Sequence, residues 1–393
     1  MFSTMDTSSR RLYFVLLAGF ILFGVIFTIA GAALPHIISA FGWSYTETGL
    51  VLAASAAGYF LSSFVNGLLA QRVPAKAIML CGLAVGVATM ALFMRWPSPW
   101  LNLVLNFGIG LSNGGLEVVT NLEVIHLEQR GQSRLMNLMH AAFCVGAILG
   151  PTAVGLILQA GVPLVAIFVT SAALFALLGV LVAVTKFPAP RAASVHEGRS
   201  GLSLLKEPLV LLMTLALLVY VGTEMGISSW ASEYVSKVIG VAASTAAFAV
   251  AIFWVGLLAG RLVISFFYTG TRQDRLMLGL SVLSAVALVG ILVARSVPTV
   301  AVAIFLAGLG CSGFYPLGMS LLGTRFKSGV AVGTAATGGG AGSVAFPFLM
   351  ALLSQSVGIR NGFWFYLGMS LLLVVISVLL MPVVRRTPAS KDP

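Results

Sequence analysis

Apolar residues come in blocks of about 20, separated by short polar breaks. A helix rises ~1.5 Å per residue, so ~20 residues cross the hydrocarbon layer of a bilayer. Blocks bounded by charge, Pro or Gly predict helices over 12–40, 46–70, 76–95, 99–126, 134–160, 163–185, 208–235, 242–268, 275–294, 298–323, 328–356 and 361–384. The predicted fold class is an all-α membrane protein with twelve transmembrane helices. The blocks at 12–40 and 328–356 are long enough to tilt or bend.

The basic residues orient this set. With the N-terminus in the cytoplasm, only four of the 22 Lys and Arg face outward: Arg95, Lys237, Arg295 and Arg360. The other eighteen, Arg261 among them, lie on the inner side. Cytoplasmic loops keep an excess of basic residues, so the pattern predicts an even number of spans and cytoplasmic termini. The expected location is the plasma (inner) membrane. The longest break, 186–207, is polar, basic and rich in Pro, Gly and Ser. It reads as a cytoplasmic linker between an N-terminal six-helix bundle, 1–185, and a C-terminal one, 208–393.

Composition agrees. Hydrophobic residues make up 59% of the 393 and charged residues 8%, against roughly 25% charged in a soluble domain. The net charge of +11 would suggest nucleic acid in a soluble chain. Here the basic residues sit between apolar spans, so the partner is the bilayer and no nucleic acid is expected. The start, MFSTMDTSSRRLYF, runs into an apolar stretch too long for the core of a removable signal. Cys81, Cys144 and Cys311 have neither metal nor redox spacing and read as packing residues. No metal and no cofactor is expected, and the chain is read as a monomer.

The halves echo each other. GLLAQR at Gly67–Arg72 returns as GLLAGR at Gly256–Arg261. Gly108, Gly110 and Ser112 match Gly308, Gly310 and Ser312, and GAILGP ending at Pro151 echoes GSVAFP ending at Pro347. Two six-helix halves around a cytoplasmic linker resemble the major facilitator superfamily. The resemblance implies pseudo-symmetric bundles and transport by alternating access. The loop GLLAQRVPAK resembles the gating loop of that superfamily, which assigns Gly67, Arg72 and Lys76 to gating. Gln71 stands where the pattern has Asp, and Pro74 and Ala75 where it has Gly and Arg.

Each intramembrane acid is a candidate site, because a carboxylate in hydrocarbon costs several kcal/mol unless neutral, paired or hydrated. Asn113, Glu117 and Asn121 recur at helical spacing as one polar stripe. Glu117 reads as a proton- or substrate-binding acid, or as a neutral acid bonded to the amides for packing. Tyr220, Glu224 and Ser228 share a face of the seventh span. Glu224 reads as a ligand for a substrate hydroxyl, a second coupling acid or a structural contact. Trp230 offers an indole for stacking on a sugar ring, or an anchor at the membrane interface. His140 reads as a proton-exchanging or substrate-binding histidine, or a satisfied structural one. The string TGGGAG, Thr337–Gly342, lacks the ending of a phosphate loop and reads as a close helix contact.

Three segments carry a narrower resemblance: GLSNGGLEVVTNLEV (Gly110–Val124), RLMNLMHAAFCVGAILGP (Arg134–Pro151) and YVGTEMGISSWASEYV (Tyr220–Val235). They resemble the fucose–galactose–glucose permease branch, which has a Glu followed four residues later by Asn in helix four, here Glu117 and Asn121. That branch also has an acid in helix one, where this chain has Thr28. The resemblance implies a sugar substrate and proton-coupled symport, with Glu117 and Glu224 as coupling acids and Asn113, Asn121, His140, Tyr220, Glu224 and Trp230 at the substrate. The alternatives are a drug or metabolite exporter working as a proton antiporter, or an uncoupled carrier. No catalytic pair is placed for an enzyme.

Overall fold

The computed structural model describes residues 5–70, 72–127, 134–188, 206–268, 272–326 and 329–386. These residues form helices and no strand. The twelve long helices are α1 (Thr7–Ala32), α2 (Tyr45–Leu69), α3 (Ala75–Leu92), α4 (Pro99–Leu127), α5 (Arg134–Gln159), α6 (Val165–Val184), α7 (Pro208–Tyr234), α8 (Phe248–Phe267), α9 (Gln273–Val293), α10 (Val297–Phe326), α11 (Gly329–Val357) and α12 (Trp364–Arg386). Eleven are long and apolar enough to cross a membrane. The exception, α4, has 29 residues, but Asn102, Asn106, Asn113, Glu117, Asn121 and Glu123 dilute its apolar character.

Two predicted spans are interrupted. The first stops at Ala32, and a short helix, Leu34–Phe41, restarts with Pro35 in its first turn, where a missing N–H costs nothing. In α10 the helix breaks at Ser312–Gly313 and resumes at Phe314. Other boundaries follow from local chemistry. The Asp6 carboxyl accepts from the Ser8 and Ser9 amides and starts α1. Ser44 and Glu47 form a capping box at the start of α2. The α3–α4 turn holds Met94 at φ 58, and its amide donates to Asn102 Oδ1 at 2.8 Å. Large apolar side chains such as Phe64, Val104, Leu177 and Phe267 are exposed, as a lipid-facing surface requires.

The chain divides into two units, Met1–Ser194 with Ala243–Ala251, and Val195–Ala242 with Ile252–Pro393. In the first, α1 packs on α5 and α6, α2 on α4, and α3 on α4 and α6. In the second, α7 packs on α11 and α12, and α9 on α10 and α12. With six added to each helix number, these four pairs repeat four of the first unit's five, and the glycine contacts supply the fifth, α8 with α10.

Glycines fix the register of the repeat. Gly58 lies against the Phe107 carbonyl and the Leu111 amide, and Gly110 against the Ser55 carbonyl and the Tyr59 amide. Gly256 lies against the Phe305 carbonyl and the Leu309 amide, and Gly308 against Phe253 and Leu257 in the same way. Both glycine pairs, and all their partners, stand 198 positions apart. The crossings of α2 with α4 and α8 with α10 are therefore equivalent, two positions away from the match of Gly108 with Gly308. The resemblance of Gly67–Arg72 to Gly256–Arg261 is not structural, because the equivalent of Arg261 is Ser63. Gly146 against Ile21 and Val25, and Gly342 against Leu218 and Gly222, do support the GAILGP match. Gly338 and Gly342 of the TGGGAG string both meet α7 backbone, so the string is a close helix contact.

Candidate transport site

In the first unit, α4 turns a ladder of polar groups toward α2. Asn106 Nδ2 donates to the Val51 carbonyl at 2.8 Å, and Ser62 Oγ to the Leu111 carbonyl at 2.5 Å. Gly110 and Gly114 leave room for the backbone around Tyr59 to approach. The Tyr59 hydroxyl thereby reaches α4 and donates to Glu117 Oε2. The Asn121 side chain bonds to the same carboxyl. Asn113 is buried, and its Oδ1, like Oδ1 of Asn121, has no hydrogen-bond partner among the described residues. These two acceptors flank Glu117 by one helical turn on each side, about 6 Å along the axis.

An aromatic wall continues from this group. The Tyr59 ring stacks on Phe23 with centroids 6.2 Å apart, and Phe23 meets Phe143 at 4.8 Å. Phe20 touches Phe23 at 5.6 Å and His140 edge-on at 5.8 Å. The structure thus places Glu117, Asn121 and His140 on one connected cluster, with Tyr59, Phe20, Phe23 and Phe143 added to the residues read from the sequence. Thr28 turns its hydroxyl back on the Gly24 carbonyl at 3.0 Å, so helix one offers no ionisable group there.

The second unit has its own polar centre, built at the break in α10. A broken helix inside a membrane releases carbonyls that must find donors. The Tyr220 hydroxyl donates to the Cys311 carbonyl, and Arg261 Nε donates to the neighbouring Ser312 carbonyl at 3.3 Å. Glu224, one turn along α7 from Tyr220, bonds to its hydroxyl and lies within the field of the Arg261 guanidinium. The Tyr220 ring stacks on Phe314 at 5.2 Å. Nearby on α7, Ser228 accepts from Trp254 Nε1 at 2.9 Å. Trp230 is fully buried, as is Tyr234, whose hydroxyl donates to the Ile291 carbonyl at 3.0 Å.

The gating-loop residues are spread out. Gly67 and Arg72 are exposed, whereas Lys76 Nζ donates to the carbonyls of Ala183 at 2.5 Å and Thr185 at 3.1 Å. A cation on those carbonyls also complements the helix dipole at the end of α6. Gln71 and most of the linker fall outside the described residues.

The helix order and the six-helix repeat ask for comparison with known proteins. The family model for the Major Facilitator Superfamily matches residues 15–273 and again 212–393. This chain belongs to the Major Facilitator Superfamily. It is accordingly an integral membrane transporter with the superfamily's all-α fold. The chain is 25% identical over 327 residues to an uncharacterised MFS-type transporter of Yersinia pestis, covering 82% of this chain and 83% of that one. It is 26% identical to a glucose/galactose transporter of Brucella abortus, covering 91% and 92%. Among solved structures, a bacterial homologue of the human lysosomal transporter Spinster superposes with a TM-score of 0.81 at 13% identity, covering 99% and 100% of the chains. The Escherichia coli fucose:proton symporter gives 0.66 at 20% identity, covering 95% and 99%. These two likenesses concern the fold.

Proposed function

We infer that this MFS transporter moves a small polyhydroxylated solute of the sugar class by alternating access, in symport with protons exchanged at Glu117. The observation that carries this reading is the pair of Oδ1 atoms, of Asn113 and Asn121, that have no partner among the described residues and stand on either side of the Glu117 carboxyl. Buried acceptors call for donors, and the hydroxyls of a sugar supply several. His140 continues the cluster in the first unit. In the second unit Tyr220, Glu224 and Trp230 are assigned to the solute, with Glu224 as a second acid. The similarity to the Brucella glucose/galactose transporter supports the same solute class.

Proton coupling follows from the cost of a charge away from water. A carboxyl closed off in the membrane is held more cheaply neutral than charged. Proton exchange at Glu117 is therefore tied to the moments when its site opens to water. We read both termini as cytoplasmic from the asymmetry of basic residues, and we take the chain to be a monomer in the plasma (inner) membrane. The purified protein in proteoliposomes, offered radiolabelled D-glucose, D-galactose and L-fucose with and without an acidic exterior, tests the proposal. Protein-dependent uptake of at least one sugar, increased by the gradient, is expected. Uptake of none of them would overturn the solute class, and uptake indifferent to the gradient would overturn the symport.

A further inference from the structure

The sequence places Arg261 in the inner part of the eighth apolar block, 242–268. The structure places it inside α8, which continues six residues beyond it to Phe267. Its side chain is half-buried, and its Nε is fixed on the Ser312 carbonyl at the break in α10. The preceding carbonyl, Cys311, is held by Tyr220, whose hydroxyl also lies within hydrogen-bond reach of Glu224. Two adjacent carbonyls thus anchor the guanidinium of α8 and the tyrosine beside the carboxyl of α7, and Glu224 lies within the field of that guanidinium. A structural requirement alone would be met by any donor to a released carbonyl. A full positive charge inside the membrane needs a further reason, and the acid across from it provides one.

We propose that Arg261 is a specificity-determining residue that offsets the charge of Glu224, so that the acid and the guanidinium together select uncharged solutes. The inference rests on the reading of Glu224 as a solute-site residue. A neutral pair of this kind still offers the guanidinium N–H groups as donors and the carboxylate as acceptor, which suits hydroxyls. It also discriminates against charged analogues, because an added charge of either sign is attracted by one member and repelled by the other, which leaves its desolvation uncompensated. Removing one member leaves the other uncompensated and should invert the preference rather than merely weaken it.

D-galactose, D-galacturonate and D-galactosamine share a ring and differ in charge, so they serve as probes. Binding of each to the purified protein is followed by the ligand-induced rise in unfolding temperature. In the unsubstituted protein galactose gives the largest rise. In Arg261→Gln the order shifts toward galactosamine by at least tenfold in relative affinity, and in Glu224→Gln toward galacturonate. The double substitution Glu224→Gln/Arg261→Gln restores galactose to first place. Unchanged charge preference in both single variants would overturn the proposal while leaving the solute class intact. If none of the three sugars binds the unsubstituted protein, the sugar reading itself has failed, and unfolding temperatures without ligand decide about the pair. The double variant should then be more stable than Arg261→Gln alone, whereas strictly additive losses would overturn the pairing.

Discussion

Deleting one hydroxyl, in Tyr59→Phe, probes the proposed coupling centre without disturbing its frame. The ring is held by its stack on Phe23 at 6.2 Å, and phenylalanine keeps that contact. What disappears is the bond from the hydroxyl to Glu117 Oε2. A hydrogen bond to a carboxyl inside a membrane protein contributes about 1–2 kcal/mol. Losing that much from one state of the transport cycle corresponds to roughly a 5- to 30-fold change in its population. Gradient-driven accumulation of solute in proteoliposomes should fall by about that factor, while exchange of internal for external solute persists. The decisive assay is a double-mutant cycle. In the Glu117→Ala background, where Tyr59 has no carboxyl to meet, the same deletion should have little further effect on stability in detergent, because the two groups act as one unit. Full additivity would refute the reasoning, since it would show that Tyr59 acts through something other than Glu117.

Other consequences follow from the repeat and from the first helix. Gly110→Val and Gly308→Val each place a side chain against backbone of the crossing helix, so each should lower stability by about 1–3 kcal/mol. Gly279→Val, which faces open space on α9, is the control, and an equal loss there in detergent unfolding would contradict the glycine register. The Asp6 carboxyl is held below the ordinary carboxylate range, first by its side-chain bond with Ser9 and then by the Ser9 and Ser8 amides. Its cap is therefore complete above that range and lost only as pH falls through the lowered value. Protection of the Ser9 amide against hydrogen exchange, corrected for intrinsic rate, should match at pH 5 and pH 7 and drop in Asp6→Ala at both. A difference between the two pH values in the unsubstituted protein would contradict this.

The spacing of Glu117 and Asn121 made their contact legible, because residues four apart on a helix are neighbours whatever surrounds them. Tyr59 was not legible. Its role depends on the close crossing of α2 and α4, which Gly58, Gly110 and Gly114 permit and which no local pattern announces. Arg261 was legible as part of the eighth apolar block, since 242–268 includes it and α8 runs on to Phe267. Its partner was not, because that depends on the break in α10, where Ser312 and Gly313 stand in an otherwise apolar run. The repeat was visible, but its register was ambiguous. Small residues recur so densely in these helices that a shift of two positions still aligns glycine with glycine. Only the backbone contacts select the offset of 198.

The most direct measurement is pH-gradient-driven solute accumulation in proteoliposomes containing the Glu117→Gln protein. Glutamine keeps the size of the side chain and its bonds to Tyr59 and Asn121 but exchanges no proton. The account predicts that accumulation against a concentration gradient disappears while solute exchange remains measurable. Accumulation at the unsubstituted level, with the same dependence on external pH, would contradict it.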